Sequence, residues 1–230
     1  MPLTAVAPGL WTYVHRHRFP GGAVMQGRMN VVRLDDGAVL VHSPTPLDDA
    51  LAAEIAALGS VSYVVAPNCY HHLSVAPFVA RFPGAKVFGP PGLTAKRPDL
   101  ALAGTLDDGA TAPWAAALDQ IALGGAPKLN EVVFLHRASR SLLVTDLLFN
   151  MTAPDNWMTA MVLRLMGTYK RFGPSRLLRW RLTKDRRALK ADVERMLAWD
   201  FGRVLPGHGA VFEAPDARER TRAALAWVLA

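Results

Sequence analysis

Three predicted strands of this sequence end in residues that commonly bind metal ions. The apolar run 61–66 leads into the segment NCYHHLSV (68–75), the run 142–145 ends at Asp146, and the run 203–205 leads to His208 between two glycines. Loops at strand ends can converge while the strands hold them rigid, so ligands of α/β proteins often bind there. Imidazoles together with one carboxylate suit zinc, and also iron or manganese. Taken together, the three strand ends form a candidate metal site.

Each of these residues also has a purely structural interpretation. A histidine between glycines can simply be part of a turn without binding a ligand, and an aspartate after a strand often caps the next element. Side chains of neighbouring residues on an extended chain face opposite ways, so one of His71 and His72 would point to solvent. Cys69 is more often a small buried apolar residue than a ligand. The structural interpretation is favoured for four further histidines: His15, His17, His42 and His136.

Strands and helices alternate along the chain, which indicates an α/β layered protein. The predicted strands are 29–34, 38–42, 61–66, 86–89, 121–123, 131–136, 141–145 and 201–205. The predicted helices are 47–58, 74–81, 157–166, 176–200 and 217–229. Segments 29–42 and 129–146 are similar, since each has an Asn-led strand, a polar turn and an apolar strand with a polar end. This similarity favours two related halves, although hairpins resemble one another by physics alone.

The order of these features resembles the metallo-β-lactamase superfamily. The best-matching segments are VTDLLF (144–149) and VLPGHG (204–209), and the resemblance covers about the whole chain. More narrowly, APN (66–68) with the two histidines, FPGA (82–85), NEV (130–132) and TDLLFN (145–150) resemble a branch known only as a domain of unknown function. The resemblance implies an αββα four-layer sandwich. We expect one domain over residues 1–230, with a helical basic insertion at 151–200.

The sequence departs from the superfamily's His-x-His-x-Asp-His motif. Asn68 stands about where the first histidine would be, and Tyr70 about where the second would be. A further histidine expected before the second hairpin is missing, and residues 128–130 occupy that region. In the superfamily these three histidines hold the first of two metal ions. The resemblance therefore implies that the first metal site has been lost.

The second metal site of the superfamily maps onto residues that this chain retains. The resemblance implies one divalent ion, zinc or else iron or manganese, between His72, Asp146 and His208. His71 would be a fourth ligand or would support one. Four further residues are expected to orient ligands or substrate: Asn68, Cys69, Tyr70 and Asn130.

Two functions of different classes fit this site. In the first, the ion lowers the pKa of a water ligand toward about 7, and the resulting hydroxide attacks an ester, amide, thioester or phosphoester. Asp146 would then be the catalytic carboxylate. In the second, the chain is a degenerate scaffold without metal or catalysis, and Asp146 bonds directly to His208. The sequence identifies neither the substrate nor the oligomeric state.

The net charge of +7 is concentrated in one segment. Residues 164–190 contain ten lysines and arginines against a single acid, Asp185. Three interpretations remain open: a solvated helix face, a cap over the site that selects an anionic small-molecule substrate, or a weak contact with an anionic membrane surface. A nucleic-acid partner is disfavoured, because no basic and aromatic residues interleave on a β face.

Composition places the chain among globular proteins, with 51% hydrophobic and 20% charged residues. With one cysteine, no internal disulfide can form. No basic segment followed by an apolar stretch opens the sequence, and no run approaches the roughly 18 apolar residues of a spanning helix. We expect a soluble, cytoplasmic protein.

Overall fold

Two β-sheets face each other at the centre of the computed structural model, which describes residues 2–107 and 112–230. The strands are β1 (Thr4–Ala7), β2 (Leu10–Arg18), β3 (Val24–Arg33), β4 (Ala38–His42), β5 (Ser60–Val65), β6 (Lys86–Gly89), β7 (Leu102–Thr105), β8 (Leu118–Ala122), β9 (Val132–His136), β10 (Ser141–Leu143), β11 (Phe149–Asn150), β12 (Phe172–Gly173), β13 (Arg203–Leu205), β14 (His208–Gly209) and β15 (Phe212–Glu213). The first sheet runs β1 to β7 in chain order, the second has the order β15-β13-β10-β9-β8, and a small third sheet has the order β12-β11-β14.

The helices pack outside the two large sheets and against the small third sheet. They are α1 (Asp49–Ala56), α2 (Val75–Arg81), α3 (Pro91–Lys96), α4 (Trp157–Met166), α5 (Arg186–Leu197), α6 (Ala217–Ala224) and α7 (Ala226–Leu229). Ile55 and Phe78 pack on the first sheet from outside, and Val193 packs on the second. Leu40 and Phe134 meet between the sheets. Burial of these apolar faces against each other produces helix, sheet, sheet and helix layers, as the sequence predicted.

Both halves of the chain repeat one topology. Strands β3 and β4 form an antiparallel hairpin, and β5 then returns parallel to β4. Likewise, β9 and β10 are antiparallel, and β13 returns parallel to β10. Parallel neighbours end at the same edge of a sheet, so the loops that follow β10 and β13 emerge side by side. This geometry brings distant parts of the sequence to one edge.

The expected helix over 176–200 is two elements rather than one. A π-helical turn spans Leu178–Leu182, and α5 begins after Asp185, whose carboxylate accepts the backbone N–H of Ala188 at 3.0 Å. This aspartate is an N-cap, which satisfies a donor of the first helical turn. Because α5 packs on the second sheet, this part of the 151–200 segment is a layer of the fold. Within the described residues, no helix has the length and apolar character required to cross a lipid bilayer.

Candidate metal centre

Three side chains from distant parts of the sequence meet at the edge where β5, β10 and β13 end. His71 lies in the turn after β5, Asp146 follows β10, and His208 begins β14. His71 Nε2 and His208 Nε2 are 3.3 Å apart, and each lies 3.4 Å from a different carboxylate oxygen of Asp146. Among residues 2–107 and 112–230, this is the group of His, Cys, Asp and Glu side chains that could hold a metal ion.

The spacing of these four atoms suits metal ligands better than hydrogen-bond partners. Ligands about 2.1 Å from a tetrahedral zinc ion lie roughly 3.4 Å from one another. A hydrogen bond between nitrogen and oxygen prefers about 2.9 Å, well below the observed separations. The side chains of His71, His208 and Asp146 are 11%, 15% and 19% exposed, so solvent reaches the cluster. The residues present therefore fit a divalent cation with access to a water or substrate molecule.

His208 is oriented by its neighbours in the third sheet and in β3. Its Nδ1–H donates to the backbone carbonyl of Gln26 at 2.6 Å, which leaves the lone pair on Nε2 facing Asp146. Its ring stacks on Phe149, its register partner in β11, with centroids 4.9 Å apart and planes 13° apart. A carbonyl partner on the far ring nitrogen fixes both the tautomer and the direction of a histidine ligand.

Arg28, a buried side chain of β3, holds the turn that carries His208. Its guanidinium donates to the carbonyl of Pro206 at 2.9 Å, to the carbonyl of Gly209, and to Thr12 Oγ1 at 2.9 Å. Gly207 permits the turn to approach the other imidazole, because a Cβ there would come within 3.0 Å of His71 Cε1. Gly207 thus serves close approach of the backbone to His71.

His71 is held in the neutral form that a metal requires. Its Nδ1 lies 2.8 Å from the hydroxyl of Ser43, a residue with a φ of 57° just after β4. Burial lowers the pKa of His71 to about 4, with His208 and His72 adding to the effect against the opposing charge of Asp146. At neutral pH the imidazole therefore carries no proton on Nε2 when Nδ1–H donates to Ser43.

Asp146 is fixed by an amide from the turn after β5. Asn68 Nδ2 donates to Asp146 Oδ2 at 2.8 Å and to Thr145 Oγ1 at 2.9 Å. Burial alone would raise the pKa of Asp146, but His71, His208 and Asn68 together hold it below its ordinary value. For His208 burial would lower the pKa, yet Asp146 raises it above 6.5. Without a metal ion, the carboxylate of Asp146 thus favours the charged form of the imidazole that it faces.

Glu131 supports the same loop and was not predicted from the sequence. Its carboxylate, 1% exposed, accepts the backbone N–H groups of Thr145, Asp146 and Leu147 at 2.7, 2.8 and 3.0 Å. Burial, followed by the charge of Asp146, raises the pKa of Glu131 to about 7. The signal in the sequence is a lone carboxylate at the start of an apolar strand, where an unpaired charge would be costly.

The structure turns His72 away from the cluster, which corrects the expected ligand set. Asn68 Oδ1 accepts the N–H groups of both Tyr70 and His71 at 2.8 Å, and this curls the chain so that His71 faces Asp146. His72 is buried on the other side, where Arg97 Nη1 donates to its Nδ1 at 2.9 Å. The adjacent histidines contact different partners, and His71 is the one that faces the cluster. The expectation that the other would point to solvent was wrong, because His72 is buried.

The other three residues expected to support the site have their described contacts outside the cluster. Cys69 is buried, and burial raises the pKa of its thiol. Tyr70 is 43% exposed, with Lys96 Nζ 4.7 Å from its ring centroid. Asn130, at a φ of 51°, accepts the N–H of Gly92 on its Oδ1 at 2.8 Å. Of the four predicted supporting residues, Asn68 is the one with a direct bond to Asp146.

His42 lies buried at the end of β4, with Asn30 Nδ2 3.3 Å from its Nδ1. Burial, with His71 second, lowers its pKa from 6.5 to about 3. Below pH 6.5 the unfolded chain binds a proton at His42 that the folded protein does not bind. We therefore expect the free energy of unfolding to fall as pH decreases from 6.5 toward 3, with a slope approaching about 1.4 kcal/mol per pH unit from this group.

Urea unfolding of metal-free protein between pH 7 and 5 measures this slope. The variant His42→Gln should show a flatter dependence, while His17→Gln, at an exposed position of β2, should match the wild type. Equal slopes for His42→Gln and the wild type would contradict the assignment.

Comparisons with known proteins agree with this architecture. The family model described as "Domain of unknown function (DUF4336)" matches residues 10–171. No curated protein matches the sequence significantly. Among solved structures, a metallo-β-lactamase from Pontibacter korlensis is 15% identical, with a TM-score of 0.67 over 99% of this chain and 96% of that one.

Two further structures extend the comparison. The metallo-β-lactamase FIM-1 from Pseudomonas aeruginosa, in its mono-zinc form, is 13% identical, with a TM-score of 0.62 over 99% of this chain and 92% of that one. The Flv1 flavodiiron core from Synechocystis sp. PCC6803 is 11% identical, with a TM-score of 0.68 over 98% of this chain and 60% of that one. At these identities the likeness shows a shared fold, the metallo-β-lactamase fold.

Proposed function

The chain belongs to the DUF4336 family and has the metallo-β-lactamase fold, and from these premises we propose that it is a hydrolase dependent on one divalent metal ion. The ion, zinc in the first instance, would be held by His71, Asp146 and His208. The observation that carries the proposal is the approach of the two imidazole Nε2 atoms to each other at 3.3 Å and, at 3.4 Å each, to the two carboxylate oxygens of Asp146. Two imidazoles and a carboxylate are a ligand set that leaves a catalytic zinc one open position.

The protein's own groups would prepare this site. Gln26 and Ser43 bind the far nitrogens of the two imidazoles, so both Nε2 atoms face inward. Asn68 holds one oxygen of Asp146. When bound, the ion would lower the pKa of a water ligand toward about 7 and polarise a substrate carbonyl or phosphoryl oxygen. Asp146 is then placed to accept a hydrogen bond from that water, the role proposed for it in catalysis.

The substrate class is an ester, amide, thioester or phosphoester. Partial exposure of the three side chains gives a small molecule access to the cluster. Tyr70 is exposed and lies in the same turn as His71, and the ammonium group of Lys96 lies above its ring. This cation, near the route by which a small molecule would reach the cluster, favours an anionic substrate. Substrate identity is to be found with a panel of chromogenic carboxyl esters, thioesters and phosphodiesters, assayed with and without added zinc.

Metal content is the first test. Protein purified without chelators should contain about one divalent ion per chain by elemental analysis, and His208→Ala should contain almost none. Added zinc should raise the melting temperature of the wild type, because a ligand that binds the folded state stabilises it. The variant should show no such rise. Near-zero metal in the wild type, with no response to added zinc, would contradict the proposal.

A second candidate function is a scaffold without metal, favoured by the raised pKa of His208 beside Asp146. In that case the ion pair of Asp146 and His208 would hold the two halves of the chain together, and no substrate would be turned over. The two candidates differ in their response to chelator. A scaffold keeps its full stability in chelator, whereas the proposed enzyme loses both metal and part of its stability.

A further inference from the structure

Helix α4 presents an apolar ridge to solvent. Trp157, Met161 and Leu165 are spaced by four residues along one face, and they are 72%, 46% and 69% exposed. The opposite face is buried through Ala160 and Leu163. Scattered exposed apolar residues are ordinary, but a continuous stripe of large ones marks an interaction surface.

Both ends of α4 contact neighbouring segments. At its start, Asn156 Nδ2 donates to the carbonyl of Gly22 at 2.9 Å, which places the helix against the β2–β3 hairpin tip. At its end, Arg176 Nη1 lies 3.4 Å from the carbonyl of Leu165, and the same guanidinium lies 5.7 Å from the ring of Trp180. Trp180 is itself 67% exposed. A surface of exposed apolar side chains therefore runs along α4 to the π-helical turn.

The cations of this region lack acidic partners. None of the ten lysines and arginines in 164–190 forms an ion pair with an Asp or Glu side chain among the described residues. Many other surface arginines do form such pairs: Arg81, Arg97, Arg137, Arg140, Arg203 and Arg220. The positive charge beside the ridge is thus available to an external anion.

A basic cavity adjoins the ridge at Trp180. It has a volume of about 290 Å³ and is lined by Arg179, Trp180, Thr183, Lys184, Arg186 and Trp227. Arg179 Nε and Trp227 Nε1 are buried donors without a hydrogen-bond partner in the described part of the chain. Arg186 is partly engaged, since its Nη2 donates to the Ala230 carbonyl at 3.0 Å. The donors and cations of this cavity suit a phosphate oxygen.

From these contacts we propose that the α4 ridge and the adjoining basic cavity dock on the surface of an anionic phospholipid bilayer. Tryptophan, methionine and leucine side chains would enter the interface between headgroups and acyl chains. Arginine and lysine would contact lipid phosphates, and the cavity would receive one of them. A second copy of the chain is disfavoured as the occupant, because a symmetric contact would bring the unpaired cations together.

Cosedimentation of the full chain with vesicles tests this surface. We expect binding to phosphatidylglycerol-containing vesicles that weakens with added salt, and little binding to pure phosphatidylcholine vesicles. Leu165→Asp should reduce the partition coefficient about tenfold, because it removes an inserted side chain and adds a negative charge. Lys184→Glu should reduce it by roughly fivefold or more.

Two matched controls test whether the same kinds of substitution elsewhere on the protein also change vesicle binding. Leu73→Asp changes a leucine that is 71% exposed in the turn after β5, and Lys86→Glu makes the same charge change on β6. Both should bind vesicles like the wild type, and circular dichroism should show all four variants folded. Equal binding to neutral vesicles, or equal losses in the controls, would overturn the proposal. The proposal would also be overturned if the wild type bound no vesicles and instead formed a dimer that Leu165→Asp converts to a monomer.

Discussion

Replacing His71 with alanine is expected to reduce metal affinity by at least about a thousandfold, while His72→Ala retains metal at the wild-type level. The two residues are neighbours of identical type, but only the Nε2 of His71 faces Asp146 and His208 in the structure. His72 accepts a bond from Arg97 on the other side of the turn. Loss of one of three protein ligands removes a bond to the ion and opens the site to water.

Isothermal titration of chelator-stripped protein with zinc measures the two affinities. The His72→Ala variant is the matched control for loss of an imidazole from this turn. The reverse result, with metal lost in His72→Ala and kept in His71→Ala, would show that the turn binds metal through the other histidine. A loss in neither variant would remove this cluster as the metal site.

Replacing Glu131 with alanine is expected to lower the free energy of unfolding by about 4 kcal/mol in metal-free protein. Its carboxylate accepts three consecutive backbone N–H groups at the loop that carries Asp146. Without it these donors remain buried and without a partner, and each unsatisfied donor costs about 1–3 kcal/mol. Because Asp146 is one of the residues held, metal affinity should fall as well.

Urea unfolding in the presence of chelator measures the free energy of unfolding without a contribution from metal binding. Glu54→Ala is a suitable control, because Glu54 accepts one backbone N–H, that of Leu3, at an exposed position. We expect it to cost less than about 1 kcal/mol. A loss below about 1 kcal/mol for Glu131→Ala would mean that water replaces the carboxylate and that Glu131 does not organise the loop.

The strands that bury both faces were predictable, and those at the margins were not. Strand β4 and helix α4 have the predicted bounds, because apolar runs and helical spacing mark buried elements directly. Strand β2 was missed, since its second half, VHRHR (14–18), is polar and gives no period-two apolar pattern. Strand β7 was missed as well, because it is a short edge strand whose side chains are partly exposed.

For the site, the sequence predicted the positions and not the orientations. Asp146 and His208 follow predicted buried strands, so their convergence followed from the sheet alone. The choice between His71 and His72 depends on the turn that Asn68 makes by accepting two N–H groups. Such a turn depends on a side-chain bond that spacing cannot reveal. Glu131 was missed for a related reason, because its partners are backbone groups from another strand end.

The order in which the chain folds follows from where the contacts of the cluster lie. His71 and His208 are 137 positions apart, and the bond from His208 to Gln26 spans 182 positions. Contacts between segments so distant form late, after local hairpins and helices have reduced the entropy of closing the loops between them. The three side chains of the cluster are therefore expected to meet only after the two halves of the chain have docked.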